Sequence, residues 1–219
     1  MLTQIYEVST PEQATALSAI GISHIGLLVG DGEFPRELAV TEAVRIAGHI
    51  IPPSKFVALF LTADLGRVET ALRHLAPAII HLGAAAELLG PADAAKLKNR
   101  SPNRVIMRSV PVFGEPSLNI ARSYDGIADF LLLDSYHLQD RQIGALGVTH
   151  DWNISRRIVR SVRTPVILAG GLGPDNVADA ISAVRPAGVD SKTKTDTPGS
   201  HDKDIDQVRR FHAAAMAAR

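Results

Sequence analysis

The stretch Val166-Ile-Leu-Ala-Gly-Gly-Leu-Gly-Pro-Asp-Asn-Val177 carries the strongest structural signal in this sequence. Its first four residues are a short apolar run rich in β-prone side chains, which is typical of a buried parallel strand. The run stops at Gly170 and Gly171, and Pro174 then opens a helix, because proline is well tolerated in the first helical turn. The stretch therefore predicts a strand, a tight glycine turn and a helix, the repeating unit of an α/β fold.

The glycine turn also indicates an anion site. Without Cβ atoms, Gly170 and Gly171 let an anion approach main-chain N–H groups, and the following helix adds the positive end of its dipole. A tight strand-to-helix connection without any ligand explains the same residues. The motif alone does not separate the two interpretations.

The same strand-helix unit recurs along the whole chain. We predict strands at residues 4–8, 24–29, 56–61, 79–82, 104–110, 130–134, 166–169 and 188–190. We predict helices at residues 11–20, 39–49, 65–75, 86–99, 117–124, 153–162, 174–184 and 202–218. Eight units in 219 residues favour a (β/α)8 TIM barrel that forms a single domain over residues 1–219. An open doubly wound sheet is the alternative.

Composition limits the kinds of partner. The 23 basic residues balance 23 acidic ones, which argues against binding to nucleic acid or to an anionic membrane and favours a small-molecule partner. Cysteine is absent, so disulfides, thiolate metal sites and thiol nucleophiles are excluded. No apolar run approaches the roughly 20 residues of a membrane span, and the first residues do not resemble a signal peptide. We expect a cytoplasmic protein. No heptad pattern indicates a coiled-coil partner, and we expect a monomer or a homodimer.

Barrels of this kind place their chemistry at the carboxyl ends of the strands. Those ends offer Tyr6, Glu7, Asp31, Arg36, His81, Arg108, Asp134, Gly170, Gly171 and residues 190–194. None of them forms a pattern of metal ligands or a Ser/His/Asp triad, so we expect no metal. The loops after strands seven and eight often bind phosphate in such barrels, and the glycine turn follows strand seven. The predicted ligand is therefore a phosphosugar.

Several segments, mostly from Leu131 onward, resemble phosphoribosylanthranilate isomerase, an enzyme family of tryptophan biosynthesis. They are Leu131-Leu-Leu-Asp-Ser135, Gly147-Val-Thr-His-Asp-Trp152, the opening stretch 166–177 and Arg185-Pro-Ala-Gly-Val-Asp190. Order and spacing agree with the family pattern, while the first unit follows its shape without its key residue. The resemblance implies a (β/α)8 barrel that uses no cofactor.

The resemblance further implies an Amadori rearrangement, in which an aminoaldose phosphate becomes an aminoketose phosphate. A general acid protonates the furanose ring oxygen, and a general base removes the proton from C2′. In the family the acid is the aspartate that ends strand six, and Asp134 occupies that position. The preceding leucines could raise the pKa of Asp134, as a carboxylic acid donor requires. The alternative is an aspartate that only caps the following loop.

The usual base of the family is absent. The family opens with Lys-Ile-Cys-Gly and uses the cysteine as base, whereas this chain has Gln4-Ile5-Tyr6-Glu7. Strand alternation predicts that Gln4 and Tyr6 face the barrel interior and that Ile5 faces the helices. Tyr6 has the right direction but titrates at about pH 10, while Glu7 is ionised at neutral pH but is a weak base. Both are catalytic candidates, and Tyr6 could instead simply fill the barrel mouth.

Other residues are candidates for substrate binding. Arg36 matches the family's arginine for the substrate carboxylate, a role that suits bidentate binding. His81 stands where the family usually has a glutamine near the aromatic ring. Arg108 is a further candidate, and as a nearby cation it could lower the pKa of Tyr6. His150 could line the mouth, although an ordinary loop histidine explains it equally well.

The loop after strand eight departs from the family, which has a Ser/Gly-rich turn around the phosphate. This chain has Ser191-Lys-Thr-Lys-Thr-Asp196 instead. Lys192, Thr193 and Lys194 would supply two ammonium groups and a hydroxyl, so we expect them to bind phosphate with the glycine turn. A solvated basic loop is the alternative.

Three functions follow from these observations. The first is a phosphoribosylanthranilate isomerase-like enzyme with Asp134 as acid and Tyr6 or Glu7 as base. The second is a diverged barrel that carries out another reaction on a different phosphorylated small molecule. The third is a protein that binds a phosphosugar without catalysis.

Overall fold

Eight parallel strands close into one barrel in the computed structural model, which describes residues 1–137, 142–144 and 147–218. The strands are β1 (Leu2–Ile5), β2 (His24–Leu28), β3 (Lys55–Phe60), β4 (Ile79–Leu82), β5 (Val105–Val112), β6 (Phe130–His137), β7 (Val166–Leu168) and β8 (Gly188–Ser191). Pairing of β1 with β8 and of β5 with β6 closes the ring. The predicted (β/α)8 barrel is therefore confirmed, and the open sheet is wrong.

Eight helices surround the strands in the described part of the chain. They are α1 (Pro11–Ile20), α2 (Val40–Ala47), α3 (Leu65–Leu72), α4 (Pro91–Arg100), α5 (Pro116–Ser123), α6 (Trp152–Ser161), α7 (Val177–Val184) and α8 (Ile205–Ala217). Side-chain caps fix several starts; the Asp151 carboxylate, for example, accepts a hydrogen bond of 2.8 Å from the Asn153 N–H. None of these helices is both long and apolar enough to cross a membrane.

Three helices begin at least three residues later than predicted: α8 starts at Ile205 rather than at residue 202, and turns precede the other two. α7 starts at Val177 rather than at Pro174, since the Asn176 side chain accepts a hydrogen bond from the Gly173 N–H and holds a turn. α4 starts at Pro91 rather than at residue 86. A short antiparallel strand, Gln142–Ile143, and a 3-10 helix, Thr193–Thr195, were not predicted.

Two apolar layers surround the strands. The larger lies between the outer faces of the strands and the helices, and it contains Ile5. The smaller fills the barrel interior and contains Tyr6, Val57, Ile79, Met107, Leu132, Ile167 and Ala169. This division confirms the predicted alternation of β1, in which Tyr6 faces inward and Ile5 faces the helices.

The strand β1 ends earlier than predicted, at Ile5 rather than at residue 8. Glu7 has a left-handed backbone conformation with φ of 58°, which is incompatible with continued strand geometry. The Tyr6 and Val8 N–H groups still donate to the Ser191 and Gly26 carbonyls of the neighbouring strands. The turn at Glu7 therefore redirects its side chain at the carboxyl end of the barrel.

Candidate active site

Asp134 lies near the carboxyl end of β6, two residues after the interior residue Leu132. Its carboxylate is half-buried and accepts hydrogen bonds from the Ser135 N–H (2.8 Å) and hydroxyl (3.4 Å). Burial raises the pKa of Asp134 to about 7, and the hydrogen bonds from Ser135 oppose only part of that rise. A carboxyl group with this pKa is partly protonated at neutral pH, as an acid catalyst requires.

A second carboxyl group, Asp190 on β8, faces the same interior. Asp190 is 5% exposed, and its Oδ1 has no hydrogen-bond partner among the described residues. Burial and then the charge of Asp134 raise the pKa of Asp190 well above its ordinary value, while a hydrogen bond from Gln4 and the charge of Lys203 oppose the rise. Two buried carboxyl groups with raised pKa values, one of them raised in part by the charge of the other, resemble an acid/base pair.

Sequence reasoning placed Asp190 at a strand end but gave it no role. The signal that could have identified it is the parallel register, in which Asp190 lies opposite Gln4 of β1. Because Gln4 was predicted to face inward, Asp190 should face inward as well.

Tyr6 belongs to a buried hydrogen-bond chain that crosses the barrel. Its hydroxyl contacts Nδ1 of His81, and Nε2 of His81 lies 2.8 Å from the Ser109 hydroxyl. Burial lowers the pKa of His81 to about 3, so the imidazole is neutral. Burial, followed by the charges of Asp190 and Asp134, raises the pKa of Tyr6 well above 10, so its phenol keeps its proton. Tyr6 therefore fills the interior as a neutral ring.

Glu7 and Arg36 form an ion pair at the rim of the barrel. Arg36 Nε donates to one carboxylate oxygen at 2.5 Å and Nη2 to the other at 3.2 Å. Lys192 Nζ lies 3.4 Å from the same carboxylate and 3.1 Å from Asp196. Burial alone would raise the pKa of Glu7, but the hydrogen bond from Arg36 and the charge of Lys192 bring it below its ordinary value. Glu7 is thus an ionised, bound carboxylate.

The predicted glycine turn after β7 has a left-handed backbone conformation. Gly170 and Gly171 have φ of 84° and 59°, values that favour glycine. A Cβ on Gly170 would meet the His150 ring, and a Cβ on Gly171 would meet the backbone of residues 148–149. The two glycines therefore also admit the loop between β6 and α6, a reason for glycine that the sequence did not reveal.

His150 brings an unpaired nitrogen to this turn. Its Nε2 lies 2.8 Å from the Ser155 hydroxyl, while its buried Nδ1 has no partner among the described residues. Burial lowers the pKa of His150 to about 4, so the ring is neutral and carries one N–H. When Ser155 donates to Nε2, that N–H is on Nδ1 and available to a ligand.

The loop after β8 places its three predicted residues in two environments. Thr193 and Lys194 are exposed, and they lie beside Gly147 and Gly173, close to the glycine turn. The Lys192 side chain is only 10% exposed and is occupied by its ion pairs. The structure thus brings Thr193 and Lys194 near the glycine turn and directs Lys192 toward Glu7.

Arg108 does not join these groups. It is fully buried and donates to the carbonyls of Leu82 (2.7 Å), Ala84 (2.6 Å) and Leu89 (3.3 Å), and it lies 5.0 Å from the centre of the Tyr124 ring. These contacts tie β5 to the loop after β4. The structure therefore does not bring Arg108 to the interior where we expected it to meet the substrate, and the pKa of Tyr6 is raised rather than lowered.

A cavity of about 500 Å³ opens between the loops after β2 and β8. Its lining includes Arg36, Lys192, Thr193, Lys194 and His201. Another groove, of about 520 Å³, lies at the opposite end of the barrel between α3 and α4. Active sites of this fold lie at the carboxyl ends of the strands, so we do not expect catalysis in this groove. Among the described residues, no group of three or more acidic or histidine side chains is arranged to hold a metal ion.

Comparison with known proteins gives a consistent result. Residues 33–214 match the family model described as N-(5′-phosphoribosyl)anthranilate (PRA) isomerase. The N-(5′-phosphoribosyl)anthranilate isomerase of Methanocella arvoryzae is 37% identical over 212 residues, which cover 95% of this chain and 94% of that protein. The corresponding enzyme of a Synechococcus strain is 31% identical over 214 residues, covering 96% and 88%.

Solved structures agree in fold. The phosphoribosyl anthranilate isomerase of Thermus thermophilus superposes with a TM-score of 0.83 at 20% identity and covers all of both chains. A second such isomerase, in complex with reduced 1-(o-carboxyphenylamino)-1-deoxyribulose 5-phosphate, gives a TM-score of 0.78 at 22% identity and covers 99% of this chain and all of the other.

Proposed function

The chain belongs to the N-(5′-phosphoribosyl)anthranilate isomerase family, and we propose that it performs the family's isomerisation with the carboxyl pair Asp134 and Asp190 as acid and base. The observation that carries this proposal is the position of both carboxyl groups inside the barrel, where burial raises both pKa values and the charge of Asp134 further raises that of Asp190. The charge of Asp134 raises the pKa of Asp190, so the two groups resist ionising together and share one proton near neutral pH. The reactive form has that proton on Asp134 and a carboxylate at Asp190, whose raised pKa makes it a stronger base than an exposed carboxylate.

Asp134 donates the first proton. As the amine nitrogen forms a double bond to C1′, the bond from C1′ to the ring oxygen breaks, and the proton of Asp134 goes to that oxygen. The product of this step is a ring-opened Schiff base. A buried acid with a pKa of about 7 both holds a proton near neutral pH and releases it readily.

Asp190 accepts the second proton. Removal of the C2′ proton by its carboxylate leaves an electron pair that forms the C1′–C2′ double bond and neutralises the nitrogen. The enolamine then tautomerises to the aminoketose, so no proton is gained or lost overall. The unpaired Oδ1 of Asp190 supports this role, because an unpartnered buried carboxylate oxygen is costly unless a ligand or proton satisfies it.

The remaining groups hold the two ends of the substrate. Arg36 is placed at the rim, where it suits the carboxylate of the anthranilate ring. The phosphate is assigned to the N–H groups of the glycine turn at Gly170 and Gly171, with Thr193 and Lys194 beside it. The free Nδ1–H of His150 adds a donor at the same turn.

Tyr6 and His81 have a supporting role in this scheme. Their hydrogen-bonded rings fill the space between β1 and β4 in the barrel interior. A neutral phenol with a raised pKa does not act as the base.

Growth of a tryptophan auxotroph that lacks the isomerase tests the function. The chain should restore growth, the Asp134→Asn and Asp190→Asn variants should not, and a purified sample should convert phosphoribosylanthranilate. A folded protein that binds the phosphosugar but gives no turnover would overturn the proposal. That outcome would favour the second or the third function, a diverged barrel with another reaction or a protein that binds a phosphosugar without catalysis, for which the Tyr6 ring at the position of the family's cysteine is the supporting observation.

We also propose a cytoplasmic monomer or homodimer that does not bind nucleic acid. The equal numbers of basic and acidic residues support the last point. Sedimentation of the purified chain would measure its oligomeric state.

A further inference from the structure

The partners in the rim ion pair share an unusual backbone conformation. Glu7 and Arg36 have φ of 58° and 67°, and among the other described non-glycine residues only Arg185 has a positive φ. Side chains rarely adopt this conformation, and it persists only where surrounding contacts enforce it. The fold thus presents this carboxylate and this guanidinium to one another at a cost in backbone strain.

Glu7 occupies one of the two edges of Arg36 that can bind a carboxylate through two hydrogen bonds. Nε and Nη2 form this edge, and both donate to Glu7, at 2.5 and 3.2 Å. Under the proposed function, Arg36 holds the carboxylate of the substrate. The Glu7 carboxylate therefore has the chemistry and the position expected of that substrate group.

Lys192 gives Glu7 a second cation. Its Nζ lies 3.4 Å from the Glu7 carboxylate, so Glu7 would remain paired if a ligand took Arg36. The cluster contains two carboxylates, Glu7 and Asp196, and three cations, Arg36, Lys192 and Lys203. One positive charge is thus in excess, and a ligand anion would neutralise it.

We propose that Glu7 is an internal competitor for Arg36: it occupies Arg36 in the free protein, is displaced by a ligand carboxylate able to bind the same edge, and thereby lowers the affinity for carboxylated ligands. A phosphosugar without that carboxylate leaves the ion pair intact and gains nothing from Arg36. Glu7 therefore weakens the binding of carboxylated ligands and leaves the binding of other phosphosugars unchanged. This inference rests on the proposed function, since that function assigns Arg36 to the substrate carboxylate.

Calorimetric binding to two probes tests the inference. One probe is reduced 1-(o-carboxyphenylamino)-1-deoxyribulose 5-phosphate, and the other is the same molecule without its carboxylate. The variants are Glu7→Gln, which removes the charge, and Glu7→Gly, which removes the side chain and accepts the left-handed conformation without strain. Thermal unfolding confirms that each variant is folded.

Both Glu7 variants should bind the carboxylated probe about tenfold more tightly, the change expected when one charge-assisted competitor is removed. Affinity for the other probe should stay within about twofold. The control Glu42→Gln breaks a similar ion pair, with Arg45 on α2, and should change neither affinity. Unchanged or weaker binding of the carboxylated probe by the Glu7 variants would overturn the proposal, since Glu7 would then orient Arg36 rather than compete for it.

The variant Arg36→Met separates this inference from the proposed function. If Arg36 holds the carboxylate, Arg36→Met should bind the two probes equally. A preference for the carboxylated probe that survives in Arg36→Met would remove the assignment of Arg36 itself. In that case the proposed carboxylate site fails, whatever the Glu7 variants show.

Discussion

The pKa values of carboxyl groups shift in opposite directions in two regions of the molecule. One region is the inner wall formed by β6 and β8, and the other is the rim formed by the loops after β1 and β2. On the wall, Asp134 and Asp190 lie in buried surroundings, and their pKa values are raised. On the rim, Arg36 and Lys192 bind Glu7 and lower its pKa despite its burial. The protonation state of each carboxyl group is therefore decided by its neighbours, and only the wall provides a carboxylic acid near neutral pH.

Among the variants considered, Asp134→Asn is expected to cause the largest loss of kcat. The amide keeps the shape of the side chain but has no proton of suitable acidity, so kcat should fall about 10³-fold with little change in KM. Steady-state kinetics measures both, and Asp179→Asn on the exposed face of α7 serves as a matched control. Retention of more than a tenth of the activity would show that the wall does not supply the acid.

Asp190→Asn should cost less, about 100-fold in kcat, because water or Asp134 can accept the C2′ proton inefficiently. Exchange of the C2′ proton with deuterated solvent gives a direct reading of this step. A normal exchange rate in the variant would assign the base to another group, and Glu7→Gln would then be the next variant to measure.

The pH dependence of kcat/KM distinguishes the wall from the rim. Asp134 must be protonated to act, so activity should fall about tenfold per pH unit as pH rises above about 7. Titration of Glu7 should not change kcat/KM near neutral pH, because the pKa of Glu7 lies below its ordinary value. A profile that rises through pH 7 would instead indicate that Asp134 acts as a base. Asp134→Asn should lack the neutral limb.

Tyr6→Phe should have the smallest effect, less than about fivefold in kcat. The phenyl ring keeps the packing of the interior, while the hydrogen bond to His81 is lost. His81→Asn is a useful companion, because it removes the other half of the same contact. If kcat of a normally folded Tyr6→Phe variant fell 100-fold or more, Tyr6 would have to take part in proton transfer.

Much of the fold was predictable because its signals are local in sequence. The apolar run and glycine turn at residues 166–177 defined one unit, and its repetition defined the barrel. The last residue of β1 and the first residue of α7 were predicted wrongly, since each depends on a single turn. These turns are the left-handed backbone at Glu7 and the Asn176 side chain bound to Gly173. The turn at Glu7 has no glycine or proline to indicate it, and the turn before α7 contains Gly173 and Pro174, which predicted the start of the helix instead.

The site was predictable in position more than in chemistry. Alternation correctly directed Tyr6 inward, and the strand-end rule identified Asp134 and Asp190 as polar groups at the site. Neither rule revealed that Arg108 donates hydrogen bonds to main-chain carbonyls on the outside of the barrel. That choice depends on carbonyls of the loop after β4, whose direction no residue pattern specifies.

The sequence by itself determined the barrel, the glycine turn after β7 and the absence of any thiol base, because these follow from residue type and spacing. Only the tertiary structure decided that Glu7 is bound by Arg36 and Lys192, that the charge of Asp134 raises the pKa of Asp190, and that Tyr6 keeps its proton. The physical reason is that charge state depends on burial and on contacts between strands far apart in the chain. Such contacts exist only once the ring of strands has closed.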